Sequence, residues 1–531
     1  MSDAATVRHD EALWQQPHNP WLIALVVTMA TFMEVLDTSV ANVALPHIAG
    51  NLSAGLDEST WVLTSYLVSN AVVLPLSGWI SEVIGRKRFY MTCVALFTIS
   101  SLLCGLATNL GMLVFFRVLQ GIGGGGLQPS EQSILADTFP PAKRGMAFAV
   151  YGMAVVAAPV LGPPLGGWIT GNFTWRWIFF INIPVGILSL ILTSRLISDP
   201  PYMKKQKKRR AGLKIDYIGF GLIALGLGLL QVVLDKGQRE DWFETPYIRV
   251  FTVIFVAALV LAVIWELRVK EPVVDLRLFK DRTFLVANVM LFALGFMLYS
   301  TTMLLPQFVQ ELMGYTALQS GELISPGAIV VILLLPLVGF LVSHYDARKM
   351  IAFGFLVVAL SMFNMMRFNL QVDFTTMLWA RVLQSAGVAF LFVPINTAAY
   401  AFLPREKGNA ASGLINLSRN IGGSVGISFV TTVLARRAQF HQTALVGHLN
   451  SYNGHFMAMM QAMGHRFSLS GAGAVTATKQ AYAAIGGMVA QQSTLLAYID
   501  IFWLLGLSAL VLIPLTLLMK RSKPGSPLAV H

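Results

Sequence analysis

The chain has 531 residues, of which 55% are hydrophobic and only 12% charged. Ordinary soluble domains carry about 25% charged residues. Here the apolar residues gather in blocks of roughly 20, the length that crosses a hydrocarbon core. That pattern excludes a soluble globular chain and points to an all-α polytopic protein in a lipid bilayer. The formal charge of +12 comes with no basic domain interleaved with aromatics, which excludes nucleic acid as a partner.

Residues 1–20 are polar and mixed in charge, lack the marks of a removable leader, and are expected to form a cytoplasmic N-terminal segment. Six apolar blocks follow, near 21–46, 60–81, 88–108, 111–135, 145–170 and 177–197. Two more lie near 215–235 and 247–268, and six near 284–309, 319–343, 348–368, 375–402, 409–435 and 496–519.

Basic residues test this count. With the N-terminus inside, the inner connections hold Arg86, Lys87 and Arg88; Lys143 and Arg144; the run Lys204, Lys205, Lys207, Lys208, Arg209 and Arg210; Arg348 and Lys349; and Arg405 and Lys407. The tail adds Lys520, Arg521 and Lys523, while the outer connections are poor in bases. This alternation predicts fourteen spans with both termini cytoplasmic. Cys93 and Cys104 fall in one span, too far apart along a helix for a disulfide. The long outer connection 437–495 is rich in Ala, Gln, Met and Gly, and is a candidate docking surface. His441, His448 and His455 recur every seven residues there. They read as a solvated stripe, since neighbours about 10 Å apart cannot share one metal ion.

An internal repeat divides the spans. Residues 117–121 read RVLQG and 381–385 read RVLQS, and the same spacing relates Pro140 to Pro404 and Lys143 to Lys407. The fourth helix therefore echoes the twelfth. The expected organisation is an N-terminal six-helix bundle at 21–197, then a basic linker, two inserted helices and a second linker at 198–283. A C-terminal six-helix bundle follows at 284–519, and a cytoplasmic tail at 520–531. Two such bundles with a site between them is a secondary-transporter architecture.

Ionisable residues inside spans are costly and mark function. Glu34 and Asp37 share a face of the first helix. Glu131 lies deep in the fourth, four turns beyond Arg117. A carboxylate that alternates between an apolar setting and an arginine can take a proton on one side and release it on the other. Asp37 and Glu131, with Glu34, are the expected proton carriers and Arg117 their electrostatic partner. Gln128, Glu131, Arg381 and Asn396 are candidates to line a substrate cavity. Arg419 and Asp500 are further charges of lower rank. GIGGGG at 121–126 fits a dinucleotide fingerprint, but no strand precedes it and it lies in a span, so close helix packing is the expected role. No metal site or cofactor is expected.

Residues 78–88 read GWISEVIGRKR in a tight inner loop. Gly78, Glu82, Gly85, Arg86 and Lys87 are candidates for a latch that makes and breaks contacts between bundles. GFLVSHYDARK at 339–349 is its degraded counterpart. This loop resembles the signature of the major facilitator superfamily, with Glu82 where an aspartate is usual. LDTSVANVALP at 36–46, Arg117 with Gln120 and Gly121, GPPLGG at 162–167 and WRWIFFINIPVG at 175–186 resemble, in order, the motifs of its fourteen-span drug:proton antiporters of the EmrB/QacA type, with the second half nearer the EmrB branch. The resemblance covers essentially the whole chain. It implies a proton-driven multidrug exporter of a bacterial inner membrane, working by alternating access with a periplasmic adaptor of the EmrA type and an outer-membrane channel. It associates Gly162, Pro163, Gly166 and Gly167 with antiport, and it implies small amphipathic or lipophilic cargo. A dedicated exporter of one metabolite such as a fatty acid or siderophore, a proton-linked nutrient importer, and a membrane sensor or enzyme are the alternatives.

Overall fold

The computed structural model describes residues 16–200, 216–270 and 272–521. The basic run 204–210, Lys523 and the first fifteen residues lie outside the described residues.

The first half holds α1 (Pro20–Asn51), α2 (Trp61–Ile84), α3 (Arg86–Leu106), α4 (Leu110–Thr138), α5 (Pro141–Asn172) and α6 (Trp177–Leu196). Then come α7 (Tyr217–Lys236) and α8 (Pro246–Arg268). The second half holds α9 (Arg282–Gln307), α10 (Ala317–Leu341), α11 (Ala347–Met365), α12 (Phe374–Tyr400), α13 (Gly408–Val446) and α14 (Ala474–Leu512). Among the described residues, thirteen helices are long and apolar enough to cross a membrane. α13 is long enough but more polar, because it buries Asn409, Ser412, Asn416 and Arg419. The architecture is two six-helix bundles with two helices inserted between them.

Local sequence sets the ends. Asn109, Asp216, Asp281 and Asp373 each accept a backbone N–H at a helix start, and Thr316 with Gln319 forms a reciprocal capping box. α4 is broken between Gly124 and Leu127, and a π-turn at Phe308–Leu312 follows Pro306 at the end of α9. The GIGGGG run sits at the α4 break and packs closely. A Cβ on Gly121 would lie 2.4 Å from the Tyr66 carbonyl oxygen, and one on Gly123 2.7 Å from the Phe97 nitrogen. Cys93 and Cys104 are buried and free.

Two differences stand out. The helices flanking the outer connection at 437–495 are longer than the expected spans, and the connection between them is largely helical. α13 continues to Val446, a separate helix spans Gly454–Leu469, and α14 already begins at Ala474. The histidines consequently form no stripe. His441 belongs to α13 and bonds Asp500 (2.8 Å), His448 lies in a turn, and His455 starts the next helix.

The halves meet near the end that carries the basic loops. A Cβ on Gly78 would lie 2.8 Å from the Ala410 Cα, and one on Gly145 2.8 Å from the Gly339 carbonyl oxygen. Phe148 stacks on Tyr400 with ring centres 5.5 Å apart. Towards the other end, Gly50, Gly167, Gly171 and Gly321 face open space. The halves are thus sealed together at the basic end. α7 leans on α2, where Thr64 donates to Asp235 and Lys236 donates to Thr60. α8 rests on α7 and turns Val253, Val256 and Val260 outward, as lipid-facing residues do.

Candidate functional site

Two polar clusters are buried in the first half and joined by one tyrosine. In the first, Arg117 Nη1 donates to Asp37 Oδ2 (2.6 Å) and to Gln120 Oε1 (2.8 Å), and Arg117 Nε donates to the Val62 carbonyl (2.9 Å). The other Asp37 oxygen accepts from Gln120 (3.0 Å) and Asn182 (2.7 Å). Arg117 is 0% and Asp37 1% exposed, so the charges are compensated inside the protein rather than by water.

The second cluster centres on Glu34. It accepts from Tyr66 (3.2 Å), Asn70 (3.1 Å) and Gln128 (2.7 Å). Gln128 Oε1 in turn accepts from Tyr151 (3.2 Å) and from Arg419. Arg419 also reaches Tyr151 (3.2 Å) and Asn416 (3.0 Å), and Asn416 bonds Gln132 (3.0 Å). One continuous network therefore runs from α1 through α4 and α5 to α13, crossing between the halves. Tyr66 links the clusters, because the Arg117 guanidinium sits 4.3 Å above its ring while its hydroxyl serves Glu34.

Glu131 lies apart from both. Thr31 donates to one of its oxygens, and the other has no hydrogen-bond partner. It is fully buried, with no cation in ion-pair range among the described residues. Arg117, expected as an electrostatic partner of Asp37 and Glu131 alike, bonds Asp37 and does not touch Glu131.

The loop residues divide. Gly85 has φ +95° and separates α2 from α3. Arg86 pairs with Asp137 (2.9 Å) and reaches Asn409 of the other half (3.4 Å). Glu82 is buried near the same seam. Lys87 points elsewhere: its Nζ donates to the Ser194 carbonyl (2.6 Å) and its backbone N–H to Asp199 (2.8 Å), both in its own half. In the GPPLGG stretch of α5, Gly162 and Gly166 lie against Ser39 and Val40 of α1, with Pro163 inside the helix. Gly167 meets nothing within 4 Å, so close packing explains only part of the motif.

In the second half, Arg381 donates to Gln384 (2.6 Å) and has no acidic partner among the described residues. Asn396 is buried, bonds the Phe392 carbonyl of its own helix (2.7 Å), and leaves its side-chain oxygen unpartnered. Among the described residues no group of acids, histidines and cysteines is placed to hold a metal ion. Sequence reasoning ranked Arg419 low and passed over Tyr66, Tyr151, Asn182 and Asn416. For Gln120 a signal existed, in the spacing it shares with Gln384.

The Major Facilitator Superfamily model matches residues 27–427. Multidrug export protein EmrB of Escherichia coli (strain K12) is 37% identical over 485 residues, covering 91% of this chain and 92% of that protein. Fatty acid resistance protein FarB of Neisseria gonorrhoeae is 39% identical over 499 residues, covering 94% and 96%. Among solved structures, the proton:xylose symporter XylE aligns with TM-score 0.57 at 15% identity, covering 89% of this chain and 94% of that one; this likeness concerns the fold alone. Family model, relatives and fold agree: the chain is a multi-pass membrane transporter of the major facilitator superfamily, and within it belongs to the EmrB-type multidrug exporter family.

Proposed function

We propose that the protein is a proton-driven exporter of small amphipathic molecules, working by alternating access in a bacterial inner membrane with both termini cytoplasmic. The observation that carries this reading is the link through Tyr66 between the Arg117–Asp37 pair and the Glu34–Gln128–Arg419 network. A proton arriving on Asp37 removes the charge that holds Arg117. The guanidinium above Tyr66 is then free to move, and the hydroxyl of that ring bonds a network spanning both halves. Proton occupancy is thereby tied to the contacts that hold the halves together. Asp37 is the proton carrier of this step, Arg117 its partner, and Glu34 the residue that passes the change on. Glu131 is a second proton carrier, on the cavity side of α4 with Gln128.

Gly78, Glu82, Gly85 and Arg86 form the latch at the sealed end, whereas Lys87 anchors the loop to its own half. Gly162, Pro163, Gly166 and Gly167 shape α5 for antiport. The helix Gly454–Leu469 and its flanking turns form the face for a periplasmic adaptor of the EmrA type, which passes cargo to an outer-membrane channel. Tyr452 and Leu469, both solvent-exposed, supply its apolar contacts. The 39% identity to a protein named for fatty acid resistance favours one second reading, a dedicated exporter of an amphipathic metabolite.

The test uses purified protein in proteoliposomes. Addition of a lipophilic drug should release protons in the wild type, and Asp37→Asn should lose at least nine-tenths of that release. Undiminished release by the variant would remove Asp37 from the coupling step.

A further inference from the structure

The second half repeats the Arg117 arrangement with its carboxylate replaced. Arg381 donates to Gln384 (2.6 Å) as Arg117 donates to Gln120 (2.8 Å). Gln384 then donates to Thr301 of α9 (2.5 Å), where Gln120 donates to Asp37 of α1 (3.0 Å). One spacing along the chain relates Asp37 to Thr301, Arg117 to Arg381 and Gln120 to Gln384. The same spacing relates Val62, whose carbonyl receives Arg117 Nε, to Pro326, and here the bond is absent: Arg381 Nε is buried without a partner. Arg381 has thus lost both the carboxylate and the carbonyl that satisfy its counterpart.

What remains is specific in shape. Gln384 holds Nη1, which leaves the edge formed by Nε and Nη2 unoccupied. That edge is the side of a guanidinium that receives a carboxylate through two parallel bonds. The side chain is only 6% exposed, and no acid lies in ion-pair range among the described residues. Gly327 admits the arginine stem, since a Cβ there would lie 3.2 Å from Arg381 Cγ. A buried, unpaired guanidinium is expensive in a protein interior and more so at membrane depth. A ligand that brings the missing anion relieves that cost.

We propose that Arg381 is the head-group anchor for anionic amphipathic cargo, taking a carboxylate on its free Nε–Nη2 edge, the side from which the Val62 carbonyl reaches Arg117. This rests on the reading of the protein as an exporter of amphipathic molecules and names a chemical class within it.

Equilibrium binding tests the anchor without a proton gradient, so a failure of proton coupling leaves the result readable. Decanoate is titrated into purified protein in phosphatidylcholine nanodiscs. Arg381→Gln should weaken binding at least tenfold, and Arg381→Lys should recover part of it. Thr301→Asp supplies the missing carboxylate from within the protein and should block decanoate to a similar extent, while raising the melting temperature if Arg381 is unpaired in the wild type. Equal decanoate binding by wild type and Arg381→Gln would overturn the proposal. So would a wild type that ignores decanoate but retains phosphatidylglycerol in an Arg381-dependent way, which would make this a lipid site.

Discussion

Arg419 is the residue whose importance depends most on the fold. Its guanidinium serves Gln128 of α4, Tyr151 of α5 and Asn416 of its own helix. A lysine would keep the charge but cannot present donors in three fixed directions. Arg419→Lys is therefore expected to lower drug transport in vesicles at least tenfold while the protein still purifies as a folded monodisperse species. Near-normal transport would reduce the network to packing. The sequence made Asp37 and Arg117 visible because an acid and a base inside apolar blocks are rare. Arg419 was obscured because the first turns of α13 also carry Asn409, Ser412, Asn416 and Ser418, so one more polar side chain there carried little contrast. Tyr66 and Tyr151 left no trace at all, since a tyrosine in a span reads as an aromatic until its hydroxyl is seen against Glu34 or Arg419.

At the scale of the helix, glycine decides where the halves touch. A side chain on Gly145 would meet Val342 Cγ1 at 2.3 Å and the Gly339 carbonyl at 2.8 Å. Gly145→Val should hold the basic end apart. Spin labels placed across that seam should report longer distances, and transport should fall at least tenfold. Gly171→Ala, in open space on the same helix, should do neither. The helices themselves were largely legible, because runs of about 20 apolar residues have few other uses. Their lengths at the far end were not. The span expected to end near 435 runs on to Val446, and beyond 435 its Arg437 pairs with Asp500 of α14 (2.6 Å). Residues 474–495 are rich in Ala and Gln, which favours helix without adding an apolar block.

For the whole molecule, the division into two six-helix bundles followed from one short repeat and from the placement of basic loops. Neither showed which end is closed. That depends on small residues from distant parts of the chain meeting one another, as Gly78 meets Ala410. The proposed adaptor face is likewise a property of the assembled protein. Replacing residues 450–472 with a short Gly-Ser linker should abolish co-purification of the periplasmic adaptor while leaving drug-driven proton release in vesicles near the wild-type rate. Retained co-purification would place the adaptor elsewhere.

α13 is 39 residues long, roughly 58 Å at about 1.5 Å per residue, against a hydrocarbon core of about 30 Å. Its base touches Gly78 at the sealed seam, and its tip stands well clear of the lipid on the other side. A rod of this kind is a lever. Tilting it by some ten degrees to open the seam would swing the tip sideways by several ångströms, far more than the contacts at its base would move. A partner that grips the tip would therefore feel each turnover as a displacement, and by holding the tip still it would stall transport without coming near the Arg117–Asp37 pair.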